Sequence, residues 1–450
     1  MATIRTIDTP TLGDRSYLAH DGDVAVVVDP QRDIDRVLQL AKEEGVRITH
    51  VFETHIHNDY VTGGRALADE TGAAYHVNAD DPVSFERVPV RDGDVIEVSP
   101  HLSVTVLGTP GHTFTHLSYA LDADGERVGV FTGGSLLFGS TGRPDLLGPD
   151  HTDALVHHQY ASAHRIADNA PDDAQVLPTH GFGSFCSATQ SQADSSTIGE
   201  EKRTNPALTK DEQEWVEEIL AGLDAWPAYY AHMGPANSAG PSAPDLTAPA
   251  PADKAAIRAS LEAGEWVVDL RDRTAYAAGH VHRTVNFGVD GQFSTYLGWL
   301  IPWGTPLTLL AERPEQVEQA QRELVRIGID RPQASAIGGP QDWSDERPAT
   351  LQRATFADLA QVRHHRDVVV LDVRRTPEHA EAHIDGSVNL PLHQILDRAD
   401  EVPDGEVWVH CAGGYRASIA ASMLAAQGRQ VVSIDDSFGE NAGEAGLPLV

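Results

Sequence analysis

The C-terminal half of the chain repeats itself, and the repeat limits the architecture more than any local propensity does. Asp269, Arg271, His280 and Asn286 recur at a constant offset as Asp372, Arg374, His383 and Asn389. The surrounding text agrees, WVVDLRDRTAYAAGHVHRTVNF against VVVLDVRRTPEHAEAHIDGSVNL. Self-similarity at a fixed period marks one structural unit present twice. Each copy opens on an apolar run of the kind buried on both faces, crosses a polar helical stretch and reaches a second short apolar run. That order suits a small α/β domain with a parallel sheet. Two such copies are expected, over 254–343 and 350–450.

Upstream, the apolar runs DVAVVVDP (23–30), RITHVFET (47–54), HLSVTVLGTP (101–110) and RVGVFTGG (127–134) read as strands. Between the first two, RDIDRVLQLAKEEG places Ile34, Val37, Leu38, Leu40 and Ala41 on one helical face, with Gly45 as the stop. The region 1–233 is therefore a mixed α/β domain. The Pro, Ala, Ser and Gly-rich stretch GPANSAGPSAPDLTAPAPAD (234–253) reads as a linker. The 450 residues suit about three domains at roughly 150 residues each.

Lys and Arg number 33 against 67 Asp and Glu, a formal charge of −34. A phosphate backbone or an anionic membrane would be repelled, so neither nucleic acid nor membrane is an expected partner. With Cys186 and Cys411 the only cysteines, a disulfide scaffold is excluded and a reducing compartment is the natural setting. The N-terminus lacks a charged segment followed by an apolar run, so the protein is expected to be cytoplasmic.

Cys411 sits in EVWVHCAGGYRASIAASMLAAQG, where a strand passes into a helix. Gly413 and Gly414 let the loop Ala412, Gly413, Gly414, Tyr415 curl so that backbone N–H groups and the positive helix end face the sulfur. Arg416 adds a cation, and together these favour thiolate or persulfide at Cys411. The cysteine followed by a five-residue turn ending in arginine, with the D-x-R and H-I-x-G-S-x-N-L-P blocks upstream, resembles the active loop of rhodaneses. That resemblance implies a sulfurtransferase with Cys411 and Arg416 as its catalytic residues. The earlier copy carries PLTLLAERPEQ (306–316) at the equivalent place, without cysteine, and is expected to be catalytically silent.

THIHNDYVTGG (54–64) follows a strand and spaces His55, His57 and Asp59 as H-x-H-x-D, able to aim several ligands into one volume. His112 in GTPGHTFTH and His180 in LPTHGFGS follow later apolar runs. The set resembles the metallo-β-lactamase superfamily, an αββα sandwich, and more narrowly the persulfide dioxygenases, for which GRPDLLGPD (142–150) is a further match. Two departures bear on the chemistry. Tyr60 stands where dinuclear hydrolases such as glyoxalase II carry His, and Gly134 where the family carries a metal-binding Asp. The resemblance implies one Fe(II), with zinc as the alternative, held by His55 and His112. The third ligand is open between His57 and a carboxylate such as Asp59 or Asp145, and Asp59 and His180 are what remains of the family's second metal set. Arg143 is the expected substrate contact. Cys186 reads as a packed structural residue.

Taken together, the resemblances imply oxidation of a small thiol persulfide, glutathione persulfide or an analogue, by O2 to sulfite. This would be coupled to thiosulfate sulfurtransferase activity through a Cys411 persulfide, without an organic cofactor. The alternatives are a zinc thioester hydrolase fused to a rhodanese, and a sulfur carrier whose first domain has lost its metal chemistry. Self-association into a homo-oligomer is left open.

Overall fold

Val24–Val28 is an unbroken apolar strand buried along its whole length, as a strand covered on both faces must be. In the computed structural model, which describes residues 2–450, it lies inside a six-stranded sheet. The strands Thr3–Thr9, Asp14–His20, Val24–Val28, Arg47–Phe52, Ala74–Asn78 and Val88–Val90 stand side by side in chain order, antiparallel over the first three and parallel thereafter. A second sheet holds Val95–Ser99, Leu102–Gly108, Leu117–Ala123 and Glu126–Gly133 in an antiparallel meander, with Gln175–Pro178 added parallel to the last.

Alternation along the strands sorts the core into layers. Leu18, Ala25, Val27 and Val51 pack on Val37 and Ala41 of the helix Asp35–Glu44 and on Ala66 and Leu67 of Gly64–Thr71. Their neighbours Tyr17, Ala19, Val26, Val28 and Phe52 face the other way, against Val104, Val106, Tyr119, Leu121 and Phe131 of the second sheet. The outer face of that sheet, with Leu107, Ala120 and Val130, meets Val156, Ala163 and Ile166 of Pro149–Asp168 and Trp215 and Ile219 of Glu212–Gly222. The result is the helix–sheet–sheet–helix sandwich. The predicted stop at Gly45 is present, in the left-handed conformation with φ 70°.

Two compact units divide the chain. One runs to Asp245 and includes Val325–Gly328; the other comprises Leu246–Leu324 and Ile329–Val450. Met1, inside the first expected domain, lies outside the described residues. The expected linker 234–253 is not free over its whole length. The helix Tyr230–Ala239 enters it, and the Asn237 amide donates to the carbonyls of His57 and Tyr60 and accepts from Thr62 N–H. At its other end Ala250–Pro251 is a strand paired with Ala334–Ile337. Composition alone did not reveal these backbone pairings.

The second unit contains two five-stranded parallel sheets of identical strand order. In the first, Ala250–Pro251, Ala334–Ile337, Leu307–Ala311, Trp266–Asp269 and Val285–Asn286 lie in that sequence across the sheet; in the second, Gln352–Ala354, Val431–Ile434, Val407–His410, Val369–Asp372 and Val388–Asn389 do. The repeated residues hold each fold together. Arg271 clasps Asp269 at 2.6 Å and donates to Gly279 O, while Asn286 donates to the carbonyls of Asp269 and Arg271. Arg374 does the same with Asp372 at 2.6 Å and Ala382 O, and Asn389 with the carbonyls of Asp372 and Arg374. Leu310 pairs opposite Asp269 as His410 does opposite Asp372, so the residue after each strand position is Ala311 in one copy and Cys411 in the other.

Candidate metal and thiol sites

The loops that leave the strand ends of the first unit bring buried imidazoles together. His55 follows the strand Arg47–Phe52, His112 the strand Leu102–Gly108, and His180 the strand Gln175–Pro178. Backbone bonds tie these loops to one another, Leu117 N–H to Thr54 O at 2.7 Å and Thr179 N–H to Gly133 O at 3.0 Å. Each ring is oriented through Nδ1: His55 by Thr54 Oγ1 at 2.9 Å, His112 by Arg143 O at 2.8 Å, and His180 by Asp14 Oδ1 at 3.0 Å. Each Nε2 is buried and without a hydrogen-bond partner. One ring nitrogen from each lies within 4.8 Å of those of the other two.

Three buried imidazole nitrogens without hydrogen-bond partners, gathered in one place, are unfavourable unless something such as a metal ion satisfies them. The set therefore fits a metal, with the Nδ1 partners fixing tautomer and orientation as outer-shell groups do. Burial and the neighbouring rings push His55 well below its ordinary pKa, and burial with His180 pushes His112 down to about 3, so both are neutral donors. Burial works against a proton on His180 too, but Asp59 and Asp14 hold one there, up to about 9. A metal would replace that proton. Asp59 Oδ2 stands 3.1 Å from His180 Nδ1.

The geometry reorders the expected ligands. His57 Nε2 is drawn away, to Glu53 Oε2 at 3.0 Å and Asp29 Oδ1 at 3.3 Å, with the Tyr60 hydroxyl at 3.0 Å. Despite burial, the two carboxylates raise His57 to about 10, which makes it the counter-ion of a buried acidic pair. Its remaining nitrogen groups with Asp59 and His180, not with His55 and His112. His180, a secondary candidate in the sequence, is the imidazole placed beside His55 and His112.

Gly134 cannot supply the missing carboxylate. A Cβ there would lie 2.5 Å from His112 Cδ2, and one at Gly142 2.8 Å from His112 Nδ1, so the ring fills the gap between two glycines. Nor can Asp145, whose two oxygens are held by Arg143 at 2.6 and 2.7 Å. The expectation of Arg143 as a substrate contact is corrected by the same bonds. Its guanidinium also donates to Asp224 O and Phe185 O and is buried, and its part in the site is the carbonyl that orients His112. Cys186 is buried, which pushes its thiol pKa well up, and its carbonyl accepts from Arg143 N–H.

Sequence reasoning missed Asp14, Asp29 and Glu53, which no spacing rule connects to the histidines. It also missed His116, the last residue of GTPGHTFTH. His116 accepts from Gly134 N–H at 2.9 Å and meets Thr109 Oγ1 at 2.9 Å through Nδ1, so it braces the Gly133–Gly134 turn.

In the second unit, Cys411 directly follows the strand Val407–His410, and Gly414 at φ 93° turns the chain into the helix Tyr415–Ala426. Only a glycine takes that conformation without strain. The turn aims Gly414 N–H at Cys411 Sγ, 3.1 Å away. Arg416, in the first turn of that helix, is not unopposed. Glu378 receives both its terminal nitrogens, at 2.6 and 2.7 Å, and Arg375 Nε at 3.2 Å. Burial alone would raise the Glu378 carboxyl; Arg416 and Arg375 hold it at about 2. Glu378 is thus the anchor of Arg416, and nothing in the loop sequence pointed to it.

Among families of known proteins, the metallo-beta-lactamase superfamily matches residues 12–180, and the rhodanese-like domain matches residues 355–441. A hydroxyacylglutathione hydrolase of Synechococcus sp. (strain JA-2-3B'a(2-13)) is 30% identical over 231 residues, covering 46% of this chain and 90% of that protein. The mitochondrial persulfide dioxygenase ETHE1 of Homo sapiens is 28% identical over 217 residues, covering 48% of this chain and 76% of that protein. The crystal structure of a metallo-beta-lactamase from Staphylococcus aureus subsp. aureus COL shares 28% identity with a TM-score of 0.67, covering 75% of this chain and 99% of that one. The fold and its His/Asp cluster imply a metal. Among the described residues no helix is long and apolar enough to cross a membrane.

Proposed function

We propose that this chain, which belongs to the metallo-beta-lactamase superfamily and carries a rhodanese-like domain behind it, oxidises a small thiol persulfide to sulfite and moves sulfane sulfur through Cys411. The observation that carries the first half is the trio of unpartnered Nε2 atoms of His55, His112 and His180, set apart from a His57 committed to Glu53 and Asp29. Such a set suits one metal better than two. Iron(II) held by these three histidines would supply open positions for sulfur and for O2. The balance is R–S–SH + O2 + H2O giving R–SH and H2SO3. Asp14 and Asp59, both at His180 Nδ1, would keep a proton on that nitrogen and leave Nε2 as the donor.

In the second half, the Cys411 thiolate attacks the sulfane sulfur of a donor. A sulfur–sulfur bond forms at Cys411, and the donor leaves with the electron pair of the bond that breaks. Gly414 N–H and the start of the helix Tyr415–Ala426 stabilise the charged sulfur. Sulfite from the first reaction is a fitting acceptor and would leave as thiosulfate. Two free cysteines suit a reducing, cytoplasmic setting.

A second reading, a zinc thioester hydrolase, is favoured by the grouping of His57, Asp59 and His180 as a second potential site and by the hydroxyacylglutathione hydrolase relative. Metal analysis with two assays separates them. About one iron per chain with O2 uptake on glutathione persulfide is expected; about two zinc per chain with thioester turnover would overturn the oxygenase reading.

A further inference from the structure

The cysteine-less copy lies against the Cys411 loop. Tyr415 donates to Gly288 O at 2.7 Å, and its ring packs so closely on Gly291 that a Cβ there would lie 2.4 Å from it. The Tyr296 ring stands 6.1 Å from that of Tyr415. At the preceding residue, a Cβ on Gly414 would meet Asp435 Oδ1 at 2.4 Å and Arg273 Nε at 3.3 Å. Arg273 belongs to the short helix Arg273–Ala278 of the cysteine-less copy. Its Nε donates to Asp435 Oδ1 at 2.7 Å, its Nη1 stands 3.8 Å from Asp290, and its side chain is 30% exposed.

The two arginines near the sulfur are therefore unequal. Arg416 is closed off by both oxygens of Glu378, whereas Arg273 shares Asp435 with Arg353 and remains open to solvent. Burial works against the Arg273 charge, yet Asp435, Asp290 and the Cys411 sulfur hold its guanidinium above the ordinary range. At the matching repeat position the second copy has Thr376, which carries no charge.

We propose that Arg273, supplied by the copy that has no nucleophile, is the substrate-positioning residue that binds the oxyanion end of the sulfur donor or acceptor at Cys411. A planar guanidinium is suited to two oxygens of a sulfonate-like group. The inference rests on the reading of Cys411 as the persulfide carrier. In the loading step the Cys411 thiolate attacks the outer sulfur of thiosulfate, the bond to the sulfonate sulfur breaks, and sulfite leaves with its electron pair. Discharge to sulfite is the reverse and uses the same site. The cysteine-less copy is then part of the sulfurtransferase site.

Full-length Arg273→Gln and Arg273→Lys are the test, with Cys411 loading by thiosulfate followed as one added sulfur atom by intact mass. Discharge of the loaded chain to sulfite and to cyanide is timed separately. In Arg273→Gln the half-saturating concentrations of thiosulfate and sulfite should rise about ten- to a hundredfold, the loss of a charge-assisted contact. The maximal rate and the discharge to cyanide should stay within about twofold, and Arg273→Lys should recover part of the affinity. Unchanged half-saturation in Arg273→Gln overturns the role of Arg273, as does an equal loss with cyanide, which marks a structural effect. Failure of the wild-type chain to load at Cys411 overturns the carrier reading and this inference with it.

Discussion

The His112 ring occupies the space that a side chain at Gly134 would need, with Cδ2 2.5 Å from where a Cβ would stand. A second glycine, Gly142, closes on the other side of the ring, and the Arg143 carbonyl fixes its Nδ1. The residue that departs from the superfamily pattern is thus also the one that lets His112 reach its place beside His55 and His180.

Gly134→Ala should displace His112 and weaken metal binding about ten- to a hundredfold, as losses of outer-shell support do. Gly134→Asp, although it restores the carboxylate of the superfamily pattern, should weaken binding as well. Chelator competition on the purified chain measures both. Tighter binding in Gly134→Asp would show that the ring gives way and that a carboxylate completes the site.

His57→Ala should destabilise the first unit by about 3–5 kcal/mol, because Asp29 and Glu53 would be left buried without their cation. Denaturant unfolding read as the transition of that unit tests this, since a chain of two units need not unfold in one step. A loss below roughly 1 kcal/mol would mean that the pair carries no charge needing compensation.

The Arg416–Glu378 pair sets an acid limit on the rhodanese-like unit. Glu378 is held at about 2 in the folded chain against an ordinary 4.5. A depressed carboxyl stabilises the fold fully above its unfolded value and loses that contribution as pH falls through the folded one. The contribution, on the order of 3 kcal/mol at neutral pH, should therefore fade between about pH 4.5 and pH 2. Thermal melts of wild type and Glu378→Gln should differ by a constant amount above this window and converge below it. A difference independent of pH down to 2 would remove Glu378 as the titrating group.

Much of the organisation was legible in the chain. Continuous apolar runs such as VAVVV announced buried strands, the repeat announced two like sheets, and the glycines after Cys411 announced a turn able to present an N–H to sulfur. These features depend on neighbours along the chain, and spacing records them. The repeat also misdirects, because Asp269, Arg271 and Asn286 and their counterparts recur for holding the fold and not for chemistry.

What only the tertiary structure decided is which groups meet across the sandwich and across the copies. His57 is two residues from His55 in the chain, yet Asp29 and Glu53 draw its Nε2 away, while His180 arrives from a strand of the other sheet. Arg143 turns inward to Asp145, and Arg416 is paired by Glu378 from a different helix. The sequence by itself determined the elements, the candidate donors and the candidate nucleophile. Charge partners in a buried site are chosen by distance through space, so the grouping of candidate ligands, the partners of each arginine and the place of Arg273 beside the Cys411 loop belonged to the tertiary fold alone.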